Sequence, residues 1–167
     1  MTPFLNLVYS DKERFHVALQ SQKQASILCE KTMSIKQQDP TICFTRLQEE
    51  ADCLLVDCRA PMEWDLTGLA DLSSCNKKAL LVAWTDNDNQ RNAEFEASIR
   101  AFADQDTPII IMCRIGGRSH AACELLAANG FTDLTNMTEG FEGRADEQGH
   151  RNSFEGWRAR GLPWFQS

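Results

Sequence analysis

The chain has 167 residues, 43% of them hydrophobic and 25% charged, enough for one domain with a real core and too few for two full-sized ones. A formal net charge of −7 with a sequence pI of about 4.9 argues against a nucleic-acid binder that works through a broad basic face. No apolar run approaches the roughly 18 residues of a membrane helix, and the start, Met1 to Tyr9, lacks the basic and apolar form of an export signal.

Residues 1–40 read as a partly helical extension. Ser10-Asp11-Lys12-Glu13 has the form of a capping box ahead of Phe15, Ala18 and Leu19, Ala25, Leu28 and Cys29 continue the face, and Asp39-Pro40 punctuates the chain. A short helix is expected over Thr41 to Glu50. Cys53-Leu54-Leu55-Val56 then reads as a buried strand ending at Asp57, and Ala79 to Trp84 as a second, closed by the polar run Thr85 to Asn89. Phe95, Ile99 and Phe102 fall at helical spacing and predict an amphipathic helix over 91–104. Pro108 to Met112, β-branched and apolar, is the strongest strand. A helix is expected from Ser119 to Asn129, stopped by Gly130, and a last strand from Phe131 to Met137. Buried strands alternating with helices mean an α/β domain with a parallel sheet over 41–167.

Cysteines stand at 29, 43, 53, 58, 75, 113 and 123. An odd number without an export signal fits free thiols in a reducing compartment, so a cytoplasmic protein is expected. No two form a CxxC pair, so a metal site gains no support, and nothing in the sequence calls for a cofactor. Cys113 directly follows the strongest strand, at the carboxyl end where open α/β sheets bind their ligands. In Cys113-Arg114-Ile115-Gly116-Gly117-Arg118 the two glycines let successive amides curl into an anion-binding nest, reinforced by the positive end of the helix at Ser119. A cysteine in such a cradle is expected to be a thiolate at neutral pH and nucleophilic, with Arg114 and Arg118 supplying charge for an anionic substrate. The ordinary alternative is a small buried cysteine before a glycine turn. That reading is kept for Cys29, Cys43, Cys53, Cys75 and Cys123, while the conjunction of features at Cys113 favours chemistry.

The run Cys113 to Ser119 resembles the active-site loop of the rhodanese superfamily. Leu55-Val56-Asp57-Cys58-Arg59 resembles its first-strand signature, Glu63-Trp64 and Gly68 the segment after it, and Gly161-Leu162-Pro163-Trp164 its usual ending, reached through a tryptophan-bearing helix at Phe154 to Trp157. The resemblance implies a three-layer fold whose central, mostly parallel five-stranded sheet is flanked by helices. It also implies sulfur transfer through a Cys113 persulfide, from a small anionic donor such as thiosulfate to a thiol or cyanide acceptor. Arg114, Ile115, Gly116, Gly117 and Arg118 would bind the substrate, with Asp57, Arg59 and Ser119 in support. A sulfur-relay carrier serving a partner protein is the alternative, with no direct nucleic-acid or membrane partner. Related phosphatases place one more residue between cysteine and arginine than the run Arg114 to Gly117 found here, which favours sulfur over phosphate and leaves phosphatase or arsenate reductase activity as the lesser alternative.

Three expectations concern the surroundings of the loop. Asp57 is expected to pair with Arg118, or else with Arg59 at the surface. His150 and Arg151, in a polar insertion between Gly143 and Phe154, either reach the pocket or form a solvated loop, the second being favoured. Alternation along the strand puts Cys58 on the face opposite Asp57, so a role for Cys58 in resolving the persulfide is open only if Asp57 faces away from the loop.

Overall fold

The computed structural model describes residues 34–166, and the helical extension expected before residue 34 lies outside them. Among the described residues seven strands form in chain order: β1 (Lys36–Gln38), β2 (Leu54–Asp57), β3 (Leu69–Ala70), β4 (Leu80–Leu81), β5 (Ile109–Met112), β6 (Leu134–Met137) and β7 (Trp164–Phe165). Between them run α1 (Pro40–Glu49), α2 (Pro61–Thr67), α3 (Phe95–Arg100) and α4 (Gly117–Ala128). The main sheet has the order β1-β6-β5-β2-β4 with every described pair parallel, and β3 and β7 make a separate antiparallel pair. Because β1 pairs with β6 at Lys36↔Thr135, the sheet begins before residue 41, and the expected boundary between extension and domain moves towards the N-terminus.

Parallel strands buried on both faces must be apolar on both faces, and β5 is: Ile109, Ile110, Ile111 and Met112 are fully buried. Alternation divides their side chains between two cores. Ile109, Ile111 and Cys113 join Val56, Cys58, Phe95 and Ile99 on one face, where α3 and α4 pack. Ile110 and Met112 join Leu55, Cys43, Leu47 and Trp157 on the other, where α1 packs. The result is the expected arrangement of three layers.

Local chemistry sets where the helices start. Asp39 caps α1, its carboxylate accepting from the amides of Thr41 (2.8 Å) and Ile42 (3.1 Å), with Pro40 at the first helical position, where its missing N–H costs nothing. Pro61 opens α2 in the same manner, and the Glu63 carboxylate turns back to accept from the Ala60 amide at 2.8 Å.

Several sequence boundaries change. The helix expected over 91–104 is confined to Phe95–Arg100, and Phe102 is 66% exposed rather than part of the buried stripe, because the chain has already left the helix for a turn. The strand expected over Ala79 to Trp84 pairs only at Leu80 and Leu81. Beyond them the amides of Val82 and Trp84 still donate to the carbonyls of Asp57 and Cys58, outside a regular ladder. The helix expected at Phe154 to Trp157 is instead a series of bends in which Gly156 takes φ +98°. Trp157 is nevertheless fully buried, edge-on to Phe44 with ring centroids 5.4 Å apart.

Candidate functional site

Cys113 lies one residue beyond β5, and the chain then turns through Gly116 into α4. Gly116 has φ +92°, and a Cβ there would sit 2.0 Å from the Thr138 carbonyl oxygen, so only glycine fits. Gly117, by contrast, is the first helical residue and a Cβ there would meet nothing within 4 Å. The outer wall of the loop is backbone: Phe141 donates to the Cys113 carbonyl at 2.8 Å, and Glu142 and Gly143 donate to that of Arg114 at 3.0 and 3.2 Å. Gly140 lets this wall approach closely, since its Cβ would lie 2.4 Å from the Cys113 oxygen.

Cys113 is 1% exposed, and donors surround its sulfur. The Gly116 amide lies 3.1 Å and the Ser119 hydroxyl 3.3 Å from Sγ. The neighbouring Cys58 thiol is the leading cause that brings Cys113 down to about 5; Ser119 and the amides of Ser119 and Ile115 add to it, and burial opposes. This is the electropositive, donor-rich setting that turns a thiol into a nucleophilic thiolate. Cys43, Cys53 and Cys123 show the opposite behaviour, pushed up by burial to about 12, 11 and 12, as inert core thiols are.

The arginines differ in their surroundings. Arg118 makes a two-pronged pair with Glu63, Nη1 to Oε2 at 2.6 Å and Nη2 to Oε1 at 2.7 Å. Burial alone would raise the Glu63 carboxyl, but the Arg118 hydrogen bonds, the Ala60 amide and the charges of Arg118 and Arg59 hold it below the usual carboxylate range. Arg114 lines a cleft of about 520 Å³ over Cys113, together with Ile115, Gly117, Met62 and the loop Thr85 to Asn89. Asn87 fixes that loop to α2 by accepting from the Met62 amide at 3.0 Å.

Asp57 does not pair with Arg118. It faces the other side of the sheet and accepts from Arg59 Nε at 3.0 Å and Nη2 at 2.6 Å, and both side chains are completely buried. Arg59 goes on to donate to Thr67 Oγ1 (2.7 Å) and the Gly68 carbonyl (2.8 Å), under the Phe141 ring at 4.0 Å. The pair is therefore an internal clamp between β2 and α2, neither a loop anchor nor a surface bridge. His150 and Arg151 are not among the cleft's lining. Arg151 donates to the Gly143 carbonyl at 2.8 Å and the His150 amide to Asp146 at 2.8 Å, the arrangement of a self-bonded loop.

Two contributors went unassigned in the sequence. Glu63 is legible as the helix-capping carboxylate after Ala60-Pro61, but its reach to Arg118 is a tertiary contact. Asn136 is a buried polar residue of β6, 4% exposed. Its Oδ1 lies 2.6 Å from the Ser119 hydroxyl, and its Nδ2 donates to Gln37 Oε1 at 2.8 Å, so the edge strand β1 is linked to the site through β6.

The family model for the STR4 middle domain matches residues 34–167. A crystal structure of Rv0390 from M. tuberculosis is 37% identical and superposes with a TM-score of 0.75, covering 80% of this chain and 100% of that one. Protein RP600 of Rickettsia prowazekii is 32% identical over 126 residues, 74% of this chain and 92% of its own length. The chloroplastic protein THYLAKOID RHODANESE-LIKE of Oryza sativa subsp. indica is 30% identical over 121 residues, 72% of this chain but 23% of that longer protein. Through these matches, and with the parallel sheet and cysteine loop in place, the chain belongs to the rhodanese superfamily, a sulfurtransferase-type superfamily, as a member of the STR4 middle-domain family.

Proposed function

We propose that the protein is a rhodanese-type sulfurtransferase that carries sulfane sulfur as a persulfide on Cys113. The observation that carries this reading is Cys113 on the wall of the cleft, its sulfur 3.1 Å from the Gly116 amide and 3.3 Å from the Ser119 hydroxyl, surroundings that favour its thiolate. With thiosulfate as donor, the Cys113 thiolate attacks the outer sulfur, a new S–S bond forms, and sulfite leaves with the electron pair of the broken bond. The loop amides and Arg114 stabilise the negative charge on the bound sulfur. An acceptor thiolate or cyanide then takes the outer sulfur and returns Cys113 to a thiolate, a two-step exchange. Arg118, neutralised by Glu63, orients the loop rather than offering a free charge. A reducing compartment, the cytoplasm in our reading, keeps these thiols available.

A protein acceptor, as in a sulfur relay, is favoured over a small thiol by the apolar side chains at the cleft: Met62 is 52% and Ile115 39% exposed. Phosphatase or arsenate reductase chemistry is disfavoured. Hydrolysis of a phosphate ester needs an acid for its leaving alkoxide, and Asp86, the aspartate on the cleft wall, accepts from the amides of Asp88 and Gln90.

Thiocyanate formation from thiosulfate and cyanide, beside the Cys113→Ser variant, tests the reading. Wild-type turnover and one added sulfur on Cys113 in the intact mass are expected. Activity no higher than the variant's, or hydrolysis of p-nitrophenyl phosphate that depends on Cys113, would overturn it.

A further inference from the structure

Cys58 stands directly behind the nucleophile. β2 and β5 run in parallel register with Asp57 opposite Met112, and the Cys58 amide donates to the Met112 carbonyl at 2.8 Å. The next pair in register is therefore Cys58 and Cys113. Register neighbours on adjacent strands lie about 4.8 Å apart and project to the same face, within the roughly 4.4–6.8 Å between Cα atoms that a disulfide accepts. Both residues belong to the same buried cluster, and both are reduced here. Within that cluster the Cys58 thiol is close enough to the Cys113 sulfur to be the largest influence that lowers it.

Cys113 lines the cleft and Cys58, completely buried, does not. An outer sulfur delivered through the cleft therefore sits on the accessible side of Cys113, with Cys58 on the buried side. That leaves Cys58 at the rear of the inner sulfur, the side from which a thiolate displaces a leaving group in line.

We propose that Cys58 is a resolving thiol: it attacks the inner sulfur of the Cys113 persulfide, expels the outer sulfur as hydrosulfide, and leaves a Cys58–Cys113 disulfide. This inference rests on the persulfide reading above. The Cys58 S–H proton ends on the departing sulfur, the Cys113–sulfane bond breaks, and the Cys58–Cys113 bond forms. The sulfane sulfur takes up two electrons and each cysteine sulfur gives up one, so no outside oxidant is needed. Thiols of the medium then reduce the disulfide by exchange, and the protein becomes a sulfide-releasing enzyme whenever no sulfur acceptor reaches the cleft.

The resting state protects against premature reaction. Burial, the hydrogen bond to Cys113 and the charge of its thiolate hold the Cys58 thiol well above its ordinary value. Loading moves the negative charge outward to the terminal sulfur, and that part of the barrier to Cys58 ionisation falls. Resolution is then faster at alkaline pH, whereas loading is not.

The test loads the full-length protein with thiosulfate, or with polysulfide should thiosulfate fail, under anaerobic conditions without an acceptor. Excess donor is removed, and intact mass, released sulfide and a non-reducing peptide map are followed with time. The expected course is one added sulfur on Cys113, then a product two hydrogens lighter than the starting protein, with one hydrosulfide released and a Cys58–Cys113 cross-linked peptide. The rate should rise with pH, and Cys58→Ala and Cys58→Ser should each prolong the persulfide by more than about tenfold. A persulfide that persists in the wild type with Cys58 still free, or a disulfide to Cys123, would overturn the resolving role and leave the sulfurtransferase reading intact. Failure of both donors to place sulfur on Cys113 would remove both. The wild-type peptide map decides the matter even if the variants fold poorly.

Discussion

At Cys113 the balance between burial and donors is tipped towards the anion by the neighbouring Cys58 thiol, with Ser119 and the loop amides behind it. A folded value near 5 lies below the ordinary thiol value of about 8.5, so the folded protein binds fewer protons here than the unfolded chain between those limits. This group's contribution to stability therefore grows with pH across that window and is lost as pH falls through about 5. Cys58, raised rather than lowered, has the opposite sign: its contribution is lost as pH rises above the ordinary thiol value. The reactivity of Cys113 follows the same titration. Its alkylation by iodoacetamide, followed by peptide mass, should rise through a midpoint near pH 5 and be flat through neutrality. Cys58→Ala, which removes the leading donor, should move that midpoint upward. A wild-type midpoint at the ordinary thiol value would remove the activated-thiolate account.

At the level of elements, much of the loop was legible because its parts are contiguous. The strand Ile109–Met112, the glycine turn and the helix behind it follow from β-branched content, glycine placement and an alanine-rich run. The two glycines could not be told apart, because their difference lies in what faces them. The Thr138 carbonyl presses against Gly116, whereas Gly117 faces open space. Gly116→Ala should cost more than about 2 kcal/mol, a left-handed Cβ penalty with a backbone clash added. Gly117→Ala, at the start of α4, should be neutral or stabilising by up to about 1 kcal/mol. Thermal or urea unfolding of the two variants checks this, and equal losses would contradict it. The pairing of Arg118 with Glu63 was hidden for the same reason, since 55 residues separate them and only the packing of α2 beside the loop brings them together.

At the scale of the molecule, the sheet separates chemistry from support. Odd positions of β5, and Cys113 just beyond it, face α3 and α4; Asp57, in register with Met112, points to the face of α1 and Trp157. Alternation on β2 was readable from sequence, but not its register against β5. The side of the sheet on which Asp57 would fall relative to Cys113 could not be derived. Once the register is known, Asp57–Arg59 becomes a buried clamp that joins β2 to Thr67, Gly68 and Phe141. Removing one member leaves the other charge uncompensated in the interior, typically a loss of about 3–5 kcal/mol. Arg59→Ala and Asp57→Ala should each lower stability by that order in urea unfolding. Replacing both by apolar residues of similar volume should restore part of it, because no lone charge then remains. In any of these variants that stays folded, the Cys113 alkylation midpoint should hold, since neither Asp57 nor Arg59 donates to its sulfur. A midpoint that moves with Arg59→Ala while stability is unchanged would instead make the pair part of the chemical site.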